Sequence, residues 1–141
     1  MSYFDKYDFS LLIIDDDQAS SYLLEAGLGQ HFRNTFIATC GEKALEILSR
    51  ENDIGFVLLD ICMPDMNGFE VLSKIHLLKP DLPAIAVTAC IYDGLDKELM
   101  DSGFCDYINK PVRVKKLLSK IVKFSHVNQC KFQAHWTAER G

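Results

Sequence analysis

The stretch Gly55-Phe56-Val57-Leu58-Leu59-Asp60 runs almost wholly apolar and then stops on a carboxylate. An exposed strand alternates polar and apolar residues; one this uniform is a central strand covered on both faces. The same pattern recurs on either side of it. Upstream, Leu11-Leu12-Ile13-Ile14 ends at Asp15-Asp16-Asp17, and Thr35 to Thr39 forms a second short strand. Downstream, Ala84 to Val87 is followed by Thr88, and Phe104 to Ile108 by Lys110-Pro111. Between the strands the apolar period becomes helical. Residues 18–30 carry Ala19, Tyr22, Leu23 and Ala26, and the helix opened by Gly41 carries Ala44, Leu45, Ile47 and Leu48. Gly68 to Leu78 packs through Phe69, Val71, Leu72 and Ile75; Asp93 to Ser102 is short and mostly polar. Val112 to Phe124 turns Val114, Leu117, Leu118, Ile121 and Val122 inward. Five strand–helix repeats predict an α/β fold, a single parallel sheet with helices on both faces. Right-handed crossovers make that sheet doubly wound, and ligands of such sheets bind at the carboxyl ends of the strands.

With 141 residues, 48% hydrophobic and 25% charged, the chain has the size and balance of one ordinary domain. Its net charge of −5 argues against a nucleic-acid surface covering the domain, since phosphate neutralisation needs clustered cations. The charge is unevenly placed. Residues 1–111 hold 8 basic and 19 acidic side chains, whereas residues 112–141 hold 7 and 1. The start lacks a secretory signal pattern, and the longest apolar runs fall far short of the roughly 18 residues of a membrane span. The five cysteines, Cys40, Cys62, Cys90, Cys105 and Cys130, are scattered and form no C-x-x-C pair. They read as small core or near-core residues of a protein in a reducing compartment, and the expected location is cytoplasmic.

Asp15-Asp16-Asp17, Asp60, Thr88 and Lys110-Pro111 all fall at one edge of a parallel sheet. Several carboxylates gathered there without matching cations repel one another. An oxygen-only set of that kind suits a hard cation such as Mg²⁺. Each residue alone has a plainer reading: a charged pair after a strand is usually a solvated loop, Thr favours strands, and Lys before Pro is mostly surface. Asp17 is read as the N-cap of the first helix in preference to a ligand. Asp60 is different, because a carboxylate closing a buried strand is expensive unless it is used.

These residues carry a family likeness. The stretches Leu12-Ile13-Ile14-Asp15-Asp16-Asp17, Leu58-Leu59-Asp60-Ile61-Cys62-Met63-Pro64-Asp65-Met66-Asn67-Gly68, Ala86-Val87-Thr88-Ala89 and Gly103-Phe104-Cys105-Asp106-Tyr107-Ile108-Asn109-Lys110-Pro111 match in order, spacing and strand placement. The chain resembles the receiver domain of two-component response regulators over residues 9 to about 125. Residues 1–8 then form an N-terminal extension, and 126–141 a C-terminal tail or the start of a linker. The resemblance implies a flavodoxin-like sheet of five strands in the order 2-1-3-4-5.

It also implies roles. Asp60 would accept a phosphoryl group. Asp15, Asp16, Asp60 and the backbone carbonyl of Cys62 would hold Mg²⁺. Thr88 and Lys110 would bind phosphoryl oxygens, with Pro111 aiming Lys110 through a commonly cis peptide and Gly68 a structural residue at the site. Tyr107 would be an aromatic switch that follows Thr88, altering the surface of the fourth helix, fifth strand and fifth helix. The implied partners are a sensor histidine kinase or a histidine phosphotransfer protein, and a downstream protein target or a linked output domain. Neither nucleic acid nor membrane is an expected partner of this domain, and a homodimer formed on phosphorylation is open. Such a domain is a self-catalysing phosphoacceptor and not a conventional turnover enzyme.

Cys62, two residues after Asp60, and Cys90, two after Thr88, depart from acidic or amide side chains at positions that border the path of the hydrolytic water in this family. Thiols position water poorly at neutral pH, so a comparatively long-lived phosphoryl group is expected. Arg113, Lys115, Lys116, Lys120 and Lys123 make the last helix basic, which reads first as a solvated face and second as a docking surface. Three rivals stand beside the main reading. A haloacid-dehalogenase-like phosphatase wants Asp-x-Asp, where this chain has Asp60-Ile61-Cys62. A phosphorylation-independent interaction module of the same fold is expected to have lost one of the acid pair, Asp60 or Lys110, and none is lost. The third is a matter of context: the receiver part of a hybrid kinase.

Overall fold

The computed structural model describes residues 7–64 and 67–125. The N-terminal six residues and the tail with His126, Cys130, His135 and Trp136 therefore lie outside the described residues. Five strands, β1 (Ser10–Ile14), β2 (Thr35–Ala38), β3 (Ile54–Asp60), β4 (Ala84–Thr88) and β5 (Asp106–Asn109), alternate with five helices. These are α1 (Gln18–Leu28), α2 (Gly41–Arg50), α3 (Gly68–Leu78), α4 (Leu95–Asp101) and α5 (Val114–Ser125). The sheet is parallel throughout, as the strand–helix alternation predicts, and its order β2-β1-β3-β4-β5 is the one the family resemblance implies.

Successive strand residues point to opposite faces, and here both faces are apolar. Leu12, Ile14, Val57, Leu59, Ala84 and Ala86 meet α2, α3 and α4, through Ala44, Ile47, Leu48, Val71, Leu72, Ile75, Leu95 and Leu99. Leu11, Ile13, Phe56, Leu58, Ile85 and Val87 meet α1 and α5 through Leu24, Leu28, Leu117, Ile121 and Phe124. The unbroken apolar run of β3 therefore serves two cores at once. Phe9 packs on the second of these, and Tyr7 stacks on Phe9 at 5.0 Å and on Phe32 at 5.3 Å.

Several sequence expectations need correction. The inward face of α1 is Ser21, Leu24 and Leu28, not Ala19, Tyr22, Leu23 and Ala26, which are exposed. The helix is turned by its cap: Asp17 accepts from the backbone of Ala19 and Ser20, while the buried Ser21 hydroxyl donates to the carbonyls of Asp15 and Asp17. A polar residue thus occupies a core position that apolar counting passes over. Gly27 lets α5 approach, since a Cβ there would come within 2.7 Å of Val114. In α5 the buried series is Leu117, Ile121 and Phe124, which rotates Val122 outward. β5 begins at Asp106 and not at Phe104: the chain leaves α4 through a turn at Ser102 and Gly103 (φ +102°), and the Phe104 N–H still donates to the Leu99 carbonyl of that helix. Of the cysteines among the described residues, only Cys105 is buried; Cys40 is half-buried, and Cys62 and Cys90 are exposed and free. No helix among the described residues is long and apolar enough to cross a membrane.

Candidate functional site

The β1–β2 connection leaves to one side and the β3–β4 connection to the other, so the strand order switches between β1 and β3. At such a point the two following loops part and open a crevice at the carboxyl edge. Register decides what lines it. Ile14 pairs with Leu59, Asp60 with Val87, and Thr88 with Asn109. Asp15, Asp60, Thr88 and Lys110 therefore arrive side by side from four neighbouring strand ends.

Asp15 and Asp60 are only 1% and 5% exposed, and Thr88 is fully buried. The Lys110 ammonium donates to Asp15 Oδ2 at 3.1 Å and to Asp60 Oδ2 at 3.0 Å, bridging the two carboxylates. Each outer oxygen is held by backbone: the Asp17 N–H donates to Asp15 Oδ1 and the Cys62 N–H to Asp60 Oδ1, both at 2.9 Å. Asp16 is exposed, yet it can bring an oxygen within 4.8 Å of oxygens from both Asp15 and Asp60. Three formal negative charges thus face one ammonium. Burial raises the Asp15 carboxyl above its ordinary range, against the opposing pull of the Asp17 N–H and of Lys110. Burial lowers Lys110, but its bonds to Asp60 and Asp15 outweigh that and hold it above the usual lysine range. A hard cation fits this arrangement: the donors are all oxygens, they converge, and one lysine leaves them under-neutralised.

The Thr88 hydroxyl donates to the Cys90 carbonyl at 3.1 Å and accepts from the Cys90 N–H at 3.0 Å, so it is turned into its own loop. The Cys62 sulfur lies 3.7 Å from that hydroxyl. Burial pushes the Cys62 thiol up, contact with Thr88 works against it, and the neighbouring Cys90 thiol adds to the rise. Lys110 reaches inward because its own N–H donates to the Thr88 carbonyl at 2.8 Å before the cis Lys110–Pro111 peptide turns the chain. Tyr107 is half-buried and lines a groove with Asp106, Arg113, Lys116 and Lys120, away from the carboxylates. Gly68 stands where a Cβ would come within 2.5 Å of the Ile61 Cα, so any side chain there would push the loop after Asp60.

Asp17 caps α1, as its position before the helix predicts, and contributes to the site only its backbone N–H. Two features were not singled out from the sequence. Asn67 caps α3 by accepting from the Phe69 N–H at 2.7 Å, a role signalled by Asn-Gly before an apolar period. The other is the convergence of Cys62 and Cys90 on the Thr88 hydroxyl. Its signal is that both lie a short step beyond the ends of adjacent strands.

Comparison with known proteins agrees with this fold. Residues 11–122 match the family described as response regulator receiver domain. The two-component response regulator ARR14 of Arabidopsis thaliana is 35% identical over 111 residues, covering 76% of this chain and 28% of the relative. Response regulator SaeR of Staphylococcus aureus is 30% identical over 123 residues, covering 82% of this chain and 53% of the relative. The chain therefore spans about a quarter to a half of the length of these relatives. Among solved structures, a CheY-like receiver domain protein of Methanospirillum hungatei superposes with a TM-score of 0.77 at 31% identity, covering 85% of this chain and 95% of that one. CheY of Borrelia burgdorferi, solved in a complex with CheX, BeF₃ and Mg²⁺, gives 0.75 at 28% identity, covering 82% and 87%.

Proposed function

The chain belongs to the response regulator receiver domain family, and from that premise we propose that it accepts a phosphoryl group on Asp60 in a Mg²⁺-dependent reaction. The donor is a phosphohistidine on a sensor histidine kinase or a histidine phosphotransfer protein. The observation that carries this reading is the double bridge from Lys110 to two buried carboxylates, Asp15 at 3.1 Å and Asp60 at 3.0 Å, beside a third at Asp16.

Phosphoryl transfer makes little demand for proton removal and depends on position and charge. The Cys62 N–H fixes Asp60 Oδ1. An oxygen of Asp60 attacks phosphorus, the P–N bond of the donor breaks, and the imidazole nitrogen keeps the electron pair. Lys110 is already in contact with Asp60 and passes to an equatorial phosphoryl oxygen as negative charge builds there. Asp15, Asp16, Asp60 and the Cys62 carbonyl would hold Mg²⁺, which supplies charge neutralisation to the transferring group. The new group carries about −1.5 to −2 charge and replaces one carboxylate charge. The Thr88 hydroxyl, now spent on Cys90, then has a stronger acceptor. Its departure from the Cys90 carbonyl loosens the β4–α4 loop, and Tyr107 on β5 moves inward with it. The readout is a population shift in the α4–β5–α5 surface, which a downstream protein or a linked output domain reads. Catalysis of this kind is performed by the domain on itself and ends in its own dephosphorylation, so the protein works as a switch.

Asp60→Asn tests the assignment. With acetyl phosphate and Mg²⁺, the parent protein gains one phosphoryl mass and the variant gains none. Undiminished labelling of the variant places the acceptor on another residue.

A further inference from the structure

Cys62 and Cys90 leave adjacent parallel strands, for Asp60 pairs with Val87 in the β3–β4 register. Continued past the strand ends, that register sets Cys62 opposite Ala89, the residue before Cys90; neighbouring strands run about 4.8 Å apart, and a disulfide spans Cα separations of about 4.4–6.8 Å. Both cysteines are exposed and free. The Cys62 sulfur lies 3.7 Å from the Thr88 hydroxyl, and the Cys90 N–H and carbonyl engage that same hydroxyl at 3.0 and 3.1 Å. The contact therefore joins the loop after the phosphoacceptor to the loop that holds the switch threonine.

We propose that Cys62 and Cys90 are a redox-active dithiol that closes to a disulfide over the mouth of the site and blocks phosphoryl uptake. The second half of that statement rests on the receiver reading above; the first half does not. The oxidant class is a peroxide. One sulfur attacks a peroxide oxygen, the O–O bond breaks, and the departing hydroxide takes up the thiol proton as water. The other sulfur then attacks the sulfenic sulfur, the S–S bond forms as the S–O bond breaks, and a second water leaves. Two thiols have lost two protons and two electrons, and one peroxide has become two waters. A thiol reductant reverses the change.

The consequence follows from what each cysteine's backbone holds. The Cys62 N–H fixes Asp60 Oδ1, and the Cys90 N–H and carbonyl engage the Thr88 hydroxyl. Linking the two side chains ties together loops that must part for Thr88 to reach a phosphoryl oxygen. It also sets two sulfurs on the solvent side of Thr88, where a donor has to enter.

The test uses the full chain, treated with hydrogen peroxide and mapped by non-reducing peptide mass spectrometry. The expected product is a Cys62–Cys90 cross-link two hydrogens lighter than the dithiol. Linkage of either cysteine to Cys40, Cys105 or Cys130, or sulfinic acid without a cross-link, overturns the proposal. Labelling by acetyl phosphate in Mg²⁺ should slow at least about tenfold in the oxidised protein and recover with dithiothreitol. In Cys90→Ser the rate, whatever its reduced value, should not respond to peroxide. Equal labelling of cross-linked and reduced parent overturns the regulatory claim. A reduced parent that takes no label refutes the receiver reading instead, and the mass map still decides the disulfide.

Discussion

Lys110 is the only cation in contact with the buried carboxylates among the described residues, and it is shared between Asp15 and Asp60. A lysine so placed suits a group that arrives and leaves, because its flexible stem can follow a moving negative charge. Its neighbours at the mouth, Cys62 and Cys90, offer no comparable handle to a water molecule. Reduced Cys90→Glu should therefore lose its phosphoryl group faster than the parent, by roughly tenfold, or about 1.4 kcal/mol of barrier. A phosphate-release assay under reducing conditions checks this; unchanged or slower release shows that water reaches the aspartyl phosphate without help from that position. The individual site residues were legible in the sequence because each is a polar residue where an apolar strand stops. That Thr88 is turned into Cys90, and that the Cys62 sulfur meets the same hydroxyl, was not, because neither contact follows from spacing within one strand.

At the scale of elements, α1 shows most clearly where periodicity misleads. Counting apolar residues selects Tyr22 and Leu23, yet these are 60% and 71% exposed, while Leu24 is 4% exposed. The helix orientation is set by Asp17 at its start and by the Ser21 hydroxyl bonded under the first turn, and both are polar. Leu24→Ala should cost about 2–5 kcal/mol by opening a cavity between α1 and the sheet. Leu23→Ala should stay within about 0.5 kcal/mol. Urea unfolding of the two variants separates these outcomes, and equal costs would return the helix to the face that apolar counting selects. In α2 and α3 the same counting succeeds, since Ala44, Ile47 and Leu48, and Val71, Leu72 and Ile75, are all buried without a polar residue among them.

For the molecule as a whole, the site is a source of instability that a bound cation would remove. The Asp15 carboxyl is raised above 3.8, chiefly by burial. The folded state therefore binds a proton more readily than the unfolded one. Between 3.8 and the raised value, stability falls as pH rises, and at neutral pH the ionisation cost is fully present. Lys110, raised above 10.5, contributes in the other sense: its stabilisation is complete below 10.5 and is lost as pH climbs through its folded value. Without metal at pH 7, Asp15→Asn should accordingly be more stable than the parent, because the amide still accepts from the Asp17 N–H and Lys110 keeps Asp60. Mg²⁺ should reverse the order. At a hundredfold excess over its dissociation constant it adds about 2.7 kcal/mol to the parent, and much less to the variant. Denaturant unfolding with and without Mg²⁺ reads both arms; a parent indifferent to Mg²⁺ refutes the metal assignment.

The alternation of apolar strands and amphipathic helices, with polar residues at the strand ends, determined by itself the fold class and the residues that meet at the carboxyl edge. Both are consequences of short-range facts: a strand's period, the burial of its two faces, and the right-handed crossover that parallel strands require. Tertiary structure alone decided the rest. It set which face of α1 is buried, the double bridge made by Lys110, the engagement of the Thr88 hydroxyl by Cys90, and the approach of the Cys62 sulfur to that hydroxyl from the neighbouring loop. Each of these depends on how separate elements sit against one another, to within the few tenths of an ångström that a hydrogen bond tolerates. The period of a sequence carries no information of that kind.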